Sequence, residues 1–306
     1  MAENSKLANI SVALRDDTIH RLGGYGDNFY MTWSQDDRQL VALCDGTGWD
    51  QNADQFYNSK LYSIDRPDIA GISEISGYPL LTPGSRDDRY YGFGTLARNN
   101  NIYQFLSTFN HPVRHPDGKP WQDLRFAGAK LIVSRDSGVT WRNQDGSEPL
   151  IWEAGAQRSR ESMVFFQEDQ ETFSLMSILQ MGRNYEHNRD GFAYVYAPNG
   201  NTEGTMNELV MFRVPVARLE QRASYEYFAG LDAVGAAKWS KSIDERRPVH
   251  VFPSGWVNTL VHPYAWQPSV VYNPGLGLYL MANWATGPAA DGMWFEKPSY
   301  LGFWVS

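Results

Sequence analysis

The chain has few of the residues that mark disulfide-bonded, nucleic-acid-binding or membrane-bound proteins. Cys44 is the only cysteine among 306 residues, so no intrachain disulfide and no thiolate metal cluster can form within one chain. Lys and Arg number 27 against 35 Asp and Glu, which gives a formal net charge of −8. Neutralising phosphate groups requires a basic surface. We therefore expect neither nucleic acid nor an anionic membrane as a partner.

Long apolar runs are also missing. No stretch approaches the length of a membrane span, and residues 1–11 have no apolar core of the kind that a signal peptide contains. The compartment stays open at this point: cytoplasmic, or secreted if a signal peptide was removed.

Several catalytic motifs are absent. The chain has no G-x-S-x-G nucleophile elbow, no P-loop and no complete G-x-G-x-x-G. His111 and His115 are four residues apart, but Pro112 between them opposes the helix that a metal-binding pair needs. We expect no catalytic metal and no cofactor.

Aromatic residues are abundant, at 14% of the chain with 11 Trp. Bulky side chains fill the spaces between propeller blades, and aromatic faces also line sugar-binding clefts. Short runs rich in Val, Ile, Tyr, Phe and Trp recur between turn residues, which is typical of strands, and the only predicted helix is short, at 215–221. The predicted strands are 29–33, 39–44, 60–64, 92–97, 102–108, 129–134, 163–167, 172–180, 192–197, 208–213, 249–252, 268–272, 278–283 and 301–305.

The grouping of these strands predicts one domain over residues 1–306, an all-β, five-bladed β-propeller. The strand groups begin near Asp27, Tyr91, Ser162, Asn207 and Trp266. Their spacing is close to that of four-stranded blades.

One local motif favours a propeller. Ser134, Asp136, Gly138, Thr140 and Trp141 have the form S-x-D-x-G-x-T-W, which resembles the Asp-box hairpin of sialidase-type propellers. The Asp can bond turn amides, the Gly can adopt an unusual backbone angle, and the Trp can pack beneath the turn. We predict a structural role for this motif, away from the active site.

Two carboxylates stand at the ends of the first two predicted strands. Asp27 precedes one strand and Asp45 follows the next. If the strands form a hairpin, both side chains lie at the same edge of the sheet. Glycoside hydrolysis needs such a pair, because one carboxylic acid protonates the leaving oxygen while the other carboxylate attacks or activates water. The alternative is that both are turn residues, since Asp-Asn and Asp-Gly are strong turn signals.

The segment GDNFYMTW followed by LCDG resembles the opening of glycoside hydrolase family 183, the endo-D-arabinanase family. The resemblance continues in the same order along nearly the whole chain. The further matching segments are 190–196 (DGFAYVY), 213–215 (RVP), 225–230 (YEYFAG), 239–240 (WS), 247–249 (RPV), 272–276 (YNPGL) and 279–280 (YL).

This resemblance implies a five-bladed propeller whose funnel holds carboxylates that act on furanosides, with cleavage within a D-arabinan chain. The family's acidic pair maps onto Asp27 and Asp45, and Asp190 lies where a third funnel carboxylate would help to position substrate. Of the pair, we favour Asp27 as nucleophile or base and Asp45 as acid. The Asp-box and the loops over 86–123 depart from the family, which leaves the substrate specificity open.

Other residues are weaker candidates for substrate binding. Aromatic side chains could stack on sugar rings, but in a propeller they more often belong to the core. Charged residues at 86–89 read as a solvated loop, and Glu161 is a reserve acid before a predicted strand. The candidates are Asn28, Trp33, Trp49, Asp88, Glu161, Tyr185, Trp266 and Trp284.

Two other functions fit the same scaffold. A non-catalytic propeller could bind glycans without turning them over. A polysaccharide lyase or an enzyme of small-molecule metabolism could also use this fold, because one fold hosts many chemistries. Turnover and the nature of the products separate these functions from a glycan hydrolase.

Overall fold

The protein is built almost entirely of antiparallel β-sheet. A computed structural model describes residues 11–49, 55–66, 71–82, 89–112, 124–200, 205–253, 267–285 and 298–306. Within these ranges, no helix is both long enough and apolar enough to span a membrane. The helices described are single 3-10 turns: Asp16–Thr18, Gly155–Gln157, Asp169–Glu171, Arg183–Tyr185, Val216–Arg218, Arg222–Ser224 and Ile243–Glu245.

The first sheet contains Asp27 and Asp45. Its strands follow one another in sequence and each pairs antiparallel with the next. Five of the first six residues of the second strand are buried, because this strand lies between two neighbours. The strands are β1 (Tyr25–Trp33), β2 (Gln39–Gly48), β3 (Tyr57–Ile64) and β4 (Ile72–Glu74).

The second sheet is also a meander, with one addition from later in the chain. A two-residue strand, β9, pairs with β7 rather than with the strands that follow it. The strands of this sheet are β5 (Tyr91–Arg98), β6 (Asn101–Pro112), β7 (Leu124–Ser134), β8 (Arg142–Asn143) and β9 (Phe165–Phe166).

The third and fourth sheets complete the described structure. The third follows the chain from β10 to β14, and β15 returns to pair with β12. Its strands are β10 (Ser177–Ile178), β11 (Phe192–Pro198), β12 (Glu208–Pro215), β13 (Glu226–Leu231), β14 (Ala237–Ser240) and β15 (His250–Val251). The fourth sheet consists of β16 (Ser269–Asn273), β17 (Leu278–Ala285) and β18 (Tyr300–Val305).

The first strand of each sheet contacts the first strand of the next, so the four sheets form a ring. The Ala97 amide donates to Thr32 Oγ1 at 3.0 Å, and the Gly94 amide donates to the carbonyl of Met176 at 3.0 Å. The Gln180 amide donates to the carbonyl of Val270 at 2.9 Å. Tyr30 then donates to the carbonyl of Gln267 at 3.1 Å, which closes the ring between the fourth and first sheets. This arrangement is a β-propeller.

The prediction of five blades is wrong, because the described residues form four sheets. The strand near Asn207 does not open a new blade: β12 pairs with β11 along its length, from Phe192 opposite Pro215 to Pro198 opposite Leu209. The strand after Ser162 joins the second sheet as β9. The strands that were expected to form the third and fourth blades therefore belong to the third sheet, except for β9, which joins the second sheet.

The predicted helix at 215–221 is reduced to the 3-10 turn Val216–Arg218. Val216 is buried, and Pro215 ends strand β12 immediately before the turn. The connection from β12 to β13 contains this turn and a second 3-10 turn, Arg222–Ser224, so the segment serves as a connector.

The largest buried core lies between the second and third sheets and is rich in aromatic rings. Phe212 stacks on Tyr225 with ring centroids 4.4 Å apart, and Phe165 stacks on Phe173 at 5.0 Å. All four rings are under 2% exposed. Burying a side chain of this size contributes about 1.5–3 kcal/mol, so the aromatic abundance of the sequence is largely used to hold blades together.

The S-x-D-x-G-x-T-W segment forms the turn between β7 and β8. Asp136 accepts hydrogen bonds from the Thr140 amide at 2.8 Å and the Thr140 hydroxyl at 2.6 Å. Gly138 has a φ of +96°, a conformation that favours glycine. Trp141 is buried and meets Tyr78 edge-on at 5.3 Å. These contacts fix a turn, and the segment lies outside the site described next.

Candidate functional site

The site is organised around an irregular part of the β1–β2 pairing. Asp27 lies opposite Cys44, but Tyr25 lies opposite Gly48 and Tyr30 opposite Ala42, so the register shifts on both sides of Asp27. Such bulges bend a strand and redirect its side chains. The sequence thus places Asp27 in a segment where the normal alternation of the strand is interrupted.

A residue with left-handed backbone conformation lies at or next to each carboxylate. Asn28, next to Asp27, has a φ of 49°, and Asp45 has a φ of 47°. Asn and Asp tolerate this region better than most other residues. These residues lie within strands β1 and β2 rather than in turns, and the antiparallel pairing of the two strands brings the two carboxylates to the same side of the first sheet.

Glycines allow the two strands to approach closely here. A Cβ added to Gly46 would lie 1.9 Å from the carbonyl oxygen of Tyr25, and one added to Gly26 would lie 1.9 Å from Leu43 Cδ1. A side chain at Gly46 would require the backbone of β1 to move, whereas one at Gly26 would first displace the end of the Leu43 side chain. The geometry around Asp27 and Asp45 depends on these two glycines.

Asp27 is partly exposed at the edge of the sheet, and its immediate partner is a neighbouring amide. Asn28 Nδ2 donates to Asp27 Oδ1 at 2.6 Å. Desolvation by the surrounding protein raises the pKa of Asp27 above its usual value, and the hydrogen bond from Asn28 opposes that rise. The bond favours the ionised form of the carboxylate.

Asp45 is half-buried and less well bonded. Asn58 Nδ2 donates to Asp45 Oδ1 at the longer distance of 3.3 Å. Burial, and after it the charge of Asp27, raises the pKa of Asp45 from 3.8 to about 6; Asn58 and the more distant charge of Arg89 oppose the rise. The two carboxylates interact electrostatically, and Asp45 is the one whose environment favours the protonated form.

Arg89 and Tyr91 stand beside Asp45 at the beginning of β5. Arg89 Nη1 is 3.5 Å from Tyr91 Oη, and Arg89 Nε is buried without a hydrogen-bond partner. Burial, and after it the charge of Asp45, raises the pKa of the Tyr91 phenol. Tyr91 therefore remains protonated at neutral pH and can donate a hydrogen bond but cannot act as a base.

A buried polar network holds the segment that carries Arg89. The carbonyl of Arg89 accepts from Thr108 Oγ1 at 2.7 Å and from Arg158 Nη2 at 3.3 Å. Arg158 lies over the ring of Tyr90 at 4.6 Å and donates through Nε to the carbonyl of Glu153 at 3.0 Å. Satisfied networks of this kind are rigid, so the backbone at Arg89 is fixed relative to the second sheet.

The floor beneath the carboxylates is aromatic. Tyr91, Phe93, Phe109 and Phe126 form one buried cluster together with Cys44. Burial, and after it the charges of Asp27 and Asp45, raises the pKa of the Cys44 thiol. The thiol therefore stays protonated and serves as a small apolar group rather than as a nucleophile.

Of the predicted aromatic candidates, Trp284 lies at this site. It is half-buried near the end of β17 and packs against the Cys44–Phe93 cluster. The side of the ring that carries Asp27, Asp45 and Trp284 is called the front below, and the opposite side is called the rear.

Asp190 lies at the rear, apart from the carboxylate pair. It belongs to the loop between β10 and β11, which contacts Asn99 through Asn184 at 2.7 Å and approaches the β1–β2 turn. Asp190 accepts from the Tyr194 hydroxyl at 2.5 Å and from the Phe192 amide at 3.0 Å. The structure therefore does not bring Asp190 together with Asp27 and Asp45.

Two aromatic candidates share that rear location. Trp33 ends β1 and donates through Nε1 to Asp37 Oδ1 at 2.8 Å. Tyr185 is 3% exposed and belongs to the core between the second and third sheets. Neither side chain is near the carboxylate pair.

The remaining candidates are dispersed. Trp49 packs on Tyr62 at 5.0 Å and on Phe29, two residues after Asp27, at 5.8 Å. Glu161 lies on a separate cavity of about 460 Å³ with Lys130 among its lining residues. Asp88 and Trp266 lie outside the described residues.

Arg89, Tyr91 and Asn58 are site residues that sequence reasoning missed. The sequence predicts that Arg89 belongs to a solvated charge cluster, but in the structure Arg89 is half-buried and its charge acts on Asp45. A signal was present: Arg89 and Tyr91 stand at the start of a strand in the second sheet, in the position that Asp27 occupies in the first. Asn58 had no such signal, because its contact depends on β3 pairing with β2.

The chemistry that this arrangement can support is proton transfer. Over the parts of the chain that the structure describes, no three His, Cys, Asp or Glu side chains are grouped as metal ligands would be. The site does offer two interacting carboxylates with different environments. Separation of the pKa values of two such groups is the usual basis for distinct acid and base roles.

Comparison with known proteins gives only distant structural similarity. No protein-family model matches the chain, and no curated protein matches it. Among solved structures, a protein of Bacteroides ovatus named as a hydrolase superposes with a TM-score of 0.48 and 13% identity, covering 94% of this chain and 68% of that one.

Two further structures are similar at a comparable level. An α-L-arabinofuranosidase of Podospora anserina has a TM-score of 0.41 and 8% identity, covering 96% of this chain and 67% of its own. A GH43 endo-arabinanase of Bacillus licheniformis has a TM-score of 0.42 and 12% identity, covering 94% and 74%. At these values the superpositions assign neither a substrate nor catalytic residues to this chain.

Proposed function

We propose that the chain is a glycoside hydrolase in which Asp27 and Asp45 are the catalytic carboxylates. The observation that carries the proposal is the pairing of β1 with β2, which places both at one edge of the first sheet, where burial and the charge of Asp27 raise the pKa of Asp45 to about 6. A carboxylic acid that stays protonated near neutral pH beside an ionised carboxylate is what glycosidic cleavage requires.

The environments of the two groups support opposite roles. Asp45, half-buried and weakly bonded, is the general acid that donates its proton to the leaving glycosidic oxygen. Asp27, partly exposed and bonded to Asn28 at 2.6 Å, is the ionised partner that attacks the anomeric carbon or activates a water molecule. Tyr91 and Arg89 lie beside Asp45 and would hydrogen-bond the sugar rather than exchange protons with it.

The substrate that we propose is a furanoside polymer, D-arabinan, cut within the chain. This choice depends on the sequence resemblance described above. Exposed aromatic side chains beside Asp27 are compatible with an extended polymer: Tyr25 is 63% exposed and Phe29 is 47% exposed on β1, and Phe56 meets Tyr25 edge-on at 6.5 Å. Such rings provide apolar faces for successive sugars.

The test is turnover of D-arabinan, with L-arabinan and xylan as control polymers. New reducing ends and product sizes are followed for the wild type, Asp27→Asn and Asp45→Asn. Each variant is expected to lose about 100-fold or more in kcat, while circular dichroism shows that it is folded. Asp190→Asn is the matched control, because its carboxylate lies at the rear, and it should retain activity.

Three results would contradict the proposal. Binding of D-arabinan without new reducing ends would indicate a binding protein. Products that carry a carbon–carbon double bond would indicate a lyase. Loss of activity in Asp190→Asn with retention in both front variants would place the chemistry at the rear of the ring.

A further inference from the structure

A second cavity lies between the third and fourth sheets, apart from the carboxylate pair. Its volume is about 500 Å³, which is within the range of small-molecule sites in proteins. Strands β11, β12, β14 and β15 form one wall, and β16–β18 form the other. Neither Asp27 nor Asp45 lines it.

The described walls of this cavity are rich in aromatic side chains. Among the described residues that line it, five are large rings and none is Lys, Arg, Asp or Glu. Apolar residues such as Leu179, Leu209 and Met281 fill the spaces between the rings. The rings are Tyr194, Tyr196, Trp239, Tyr279 and Trp304.

One polar atom in the cavity wall lacks a partner. His250 Nε2 is buried without a hydrogen-bond partner, and the imidazole is held edge-on between Phe252 at 4.8 Å and Trp304 at 5.4 Å. Burial lowers the pKa of His250, so the ring is neutral at pH 7. Leaving a buried polar atom unpaired is unfavourable, and a ligand hydroxyl that reached this nitrogen would remove that cost.

We infer that the cavity between the third and fourth sheets is a second ligand site, which binds an uncharged saccharide of one or two rings. The C–H face of a sugar ring packs on aromatic walls, and a sugar hydroxyl can pair with His250 Nε2. A purely apolar ligand would leave that nitrogen unpaired, and the described side chains that line the cavity itself include no Lys or Arg to pair with an anionic ligand.

A polar patch adjoins the cavity at its edge. A smaller space of about 100 Å³ shares Tyr194 and Tyr279 with it and adds His187, Arg189 and Asp190. Asp190 already fixes the Tyr194 hydroxyl. These groups offer further donors and acceptors to a sugar whose ring lies against Tyr194.

The experiment follows the ring nitrogens of His250 directly. Protein labelled with ¹⁵N-histidine and carrying Asp27→Asn, which prevents turnover, is titrated with an arabinofuranose disaccharide up to about 10 mM. Absence of one imidazole signal in a second variant, His250→Phe, assigns it to His250. The disaccharide is expected to shift that signal in a saturable manner and to leave the signal of exposed His20 unchanged.

Affinity provides the second readout. His250→Phe keeps the ring volume but removes the nitrogen, and it should weaken disaccharide binding at this site about tenfold, as the loss of one hydrogen bond implies. His250→Gln retains a polar end and should weaken it less. The neighbouring Trp304 reports binding by fluorescence when the histidine signal is absent.

The inference is overturned if the His250 signal does not move over the whole titration. It is equally overturned if indole, an apolar probe, shifts the signal and the disaccharide does not. Because the titration uses protein without the Asp27 carboxylate, either result is independent of whether the front carboxylates hydrolyse glycans.

Discussion

Replacing Asp45 with asparagine is expected to stabilise the fold at neutral pH while it removes activity. Asp45 is half-buried and its pKa is raised from 3.8 to about 6, first by burial and then by the charge of Asp27. The folded protein therefore binds the proton more tightly than the unfolded chain does. As pH rises from about 4 to above 6, ionisation of Asp45 costs the folded state free energy that it does not cost the unfolded state.

The size of the effect follows from the shift. A rise from 3.8 to about 6 corresponds to about 3 kcal/mol at roughly 1.36 kcal/mol per pKa unit. Because Asp45 is only half-buried, solvent screening reduces this, and we expect a gain of about 1–3 kcal/mol above pH 6. Asparagine resembles the protonated acid, so the gain should disappear near pH 4.

The assay is urea denaturation of the wild type and Asp45→Asn at about pH 4 and about pH 7.5, followed by tryptophan fluorescence. The exposed Asp244→Asn is the matched control and should change stability little at either pH. If Asp45→Asn gains the same unfolding free energy over the wild type at both pH values, or gains less at pH 7.5 than at pH 4, the environment of Asp45 does not disfavour its charge.

Three other outcomes test the site. If Asp45 is the general acid, kcat/KM on D-arabinan should fall as pH rises through about 6, because the proton is lost, and a pH–rate profile checks this. Glu161→Gln should leave kcat within about twofold of the wild type, because Glu161 lines a different cavity, and a large loss would place it in the reaction. Gly46→Ala would put a Cβ 1.9 Å from a backbone oxygen of β1 and should cost more than about 2 kcal/mol together with most of the activity. Gly235→Ala is the control: its added Cβ meets no atom within 4 Å, and the φ of +83° there strains the alanine locally, so stability should fall slightly while kcat stays unchanged.

Local pattern was sufficient for most of the strands and for one of the turns, but it missed β4, β8, β13 and β14. Short β-branched and aromatic runs between turn residues predict strands because alternation and turn chemistry act over a few residues. The Ser134–Trp141 turn is a similar case, since Asp136 bonds Thr140 four residues away. The hairpin of β1 and β2 also has a short connection, from Trp33 to Gln39. For this reason the sequence was sufficient to predict that Asp27 and Asp45 lie at one edge of the sheet.

Tertiary structure decided what depends on distant pairing. The number of sheets could not be counted from strand spacing, because β9 pairs back to β7 and β12 pairs with β11 and β15. No local pattern records which strand a given strand will bond, since backbone hydrogen bonds are the same for every sequence.

The location of single side chains was decided in the same way. The sequence resemblance predicts that Asp190 lies in the funnel with the carboxylate pair. The loop that carries Asp190 packs at the rear of the ring instead, through Asn184 and Asn99. Arg89 reads as a solvated charge, but the junction of two sheets buries it beside Asp45. The sequence by itself determined the all-β class and predicted that Asp27 and Asp45 lie at one edge of a hairpin, because hairpin geometry is local. The number of blades and the residues that surround each carboxylate depend on packing between sheets, which only the folded chain contains.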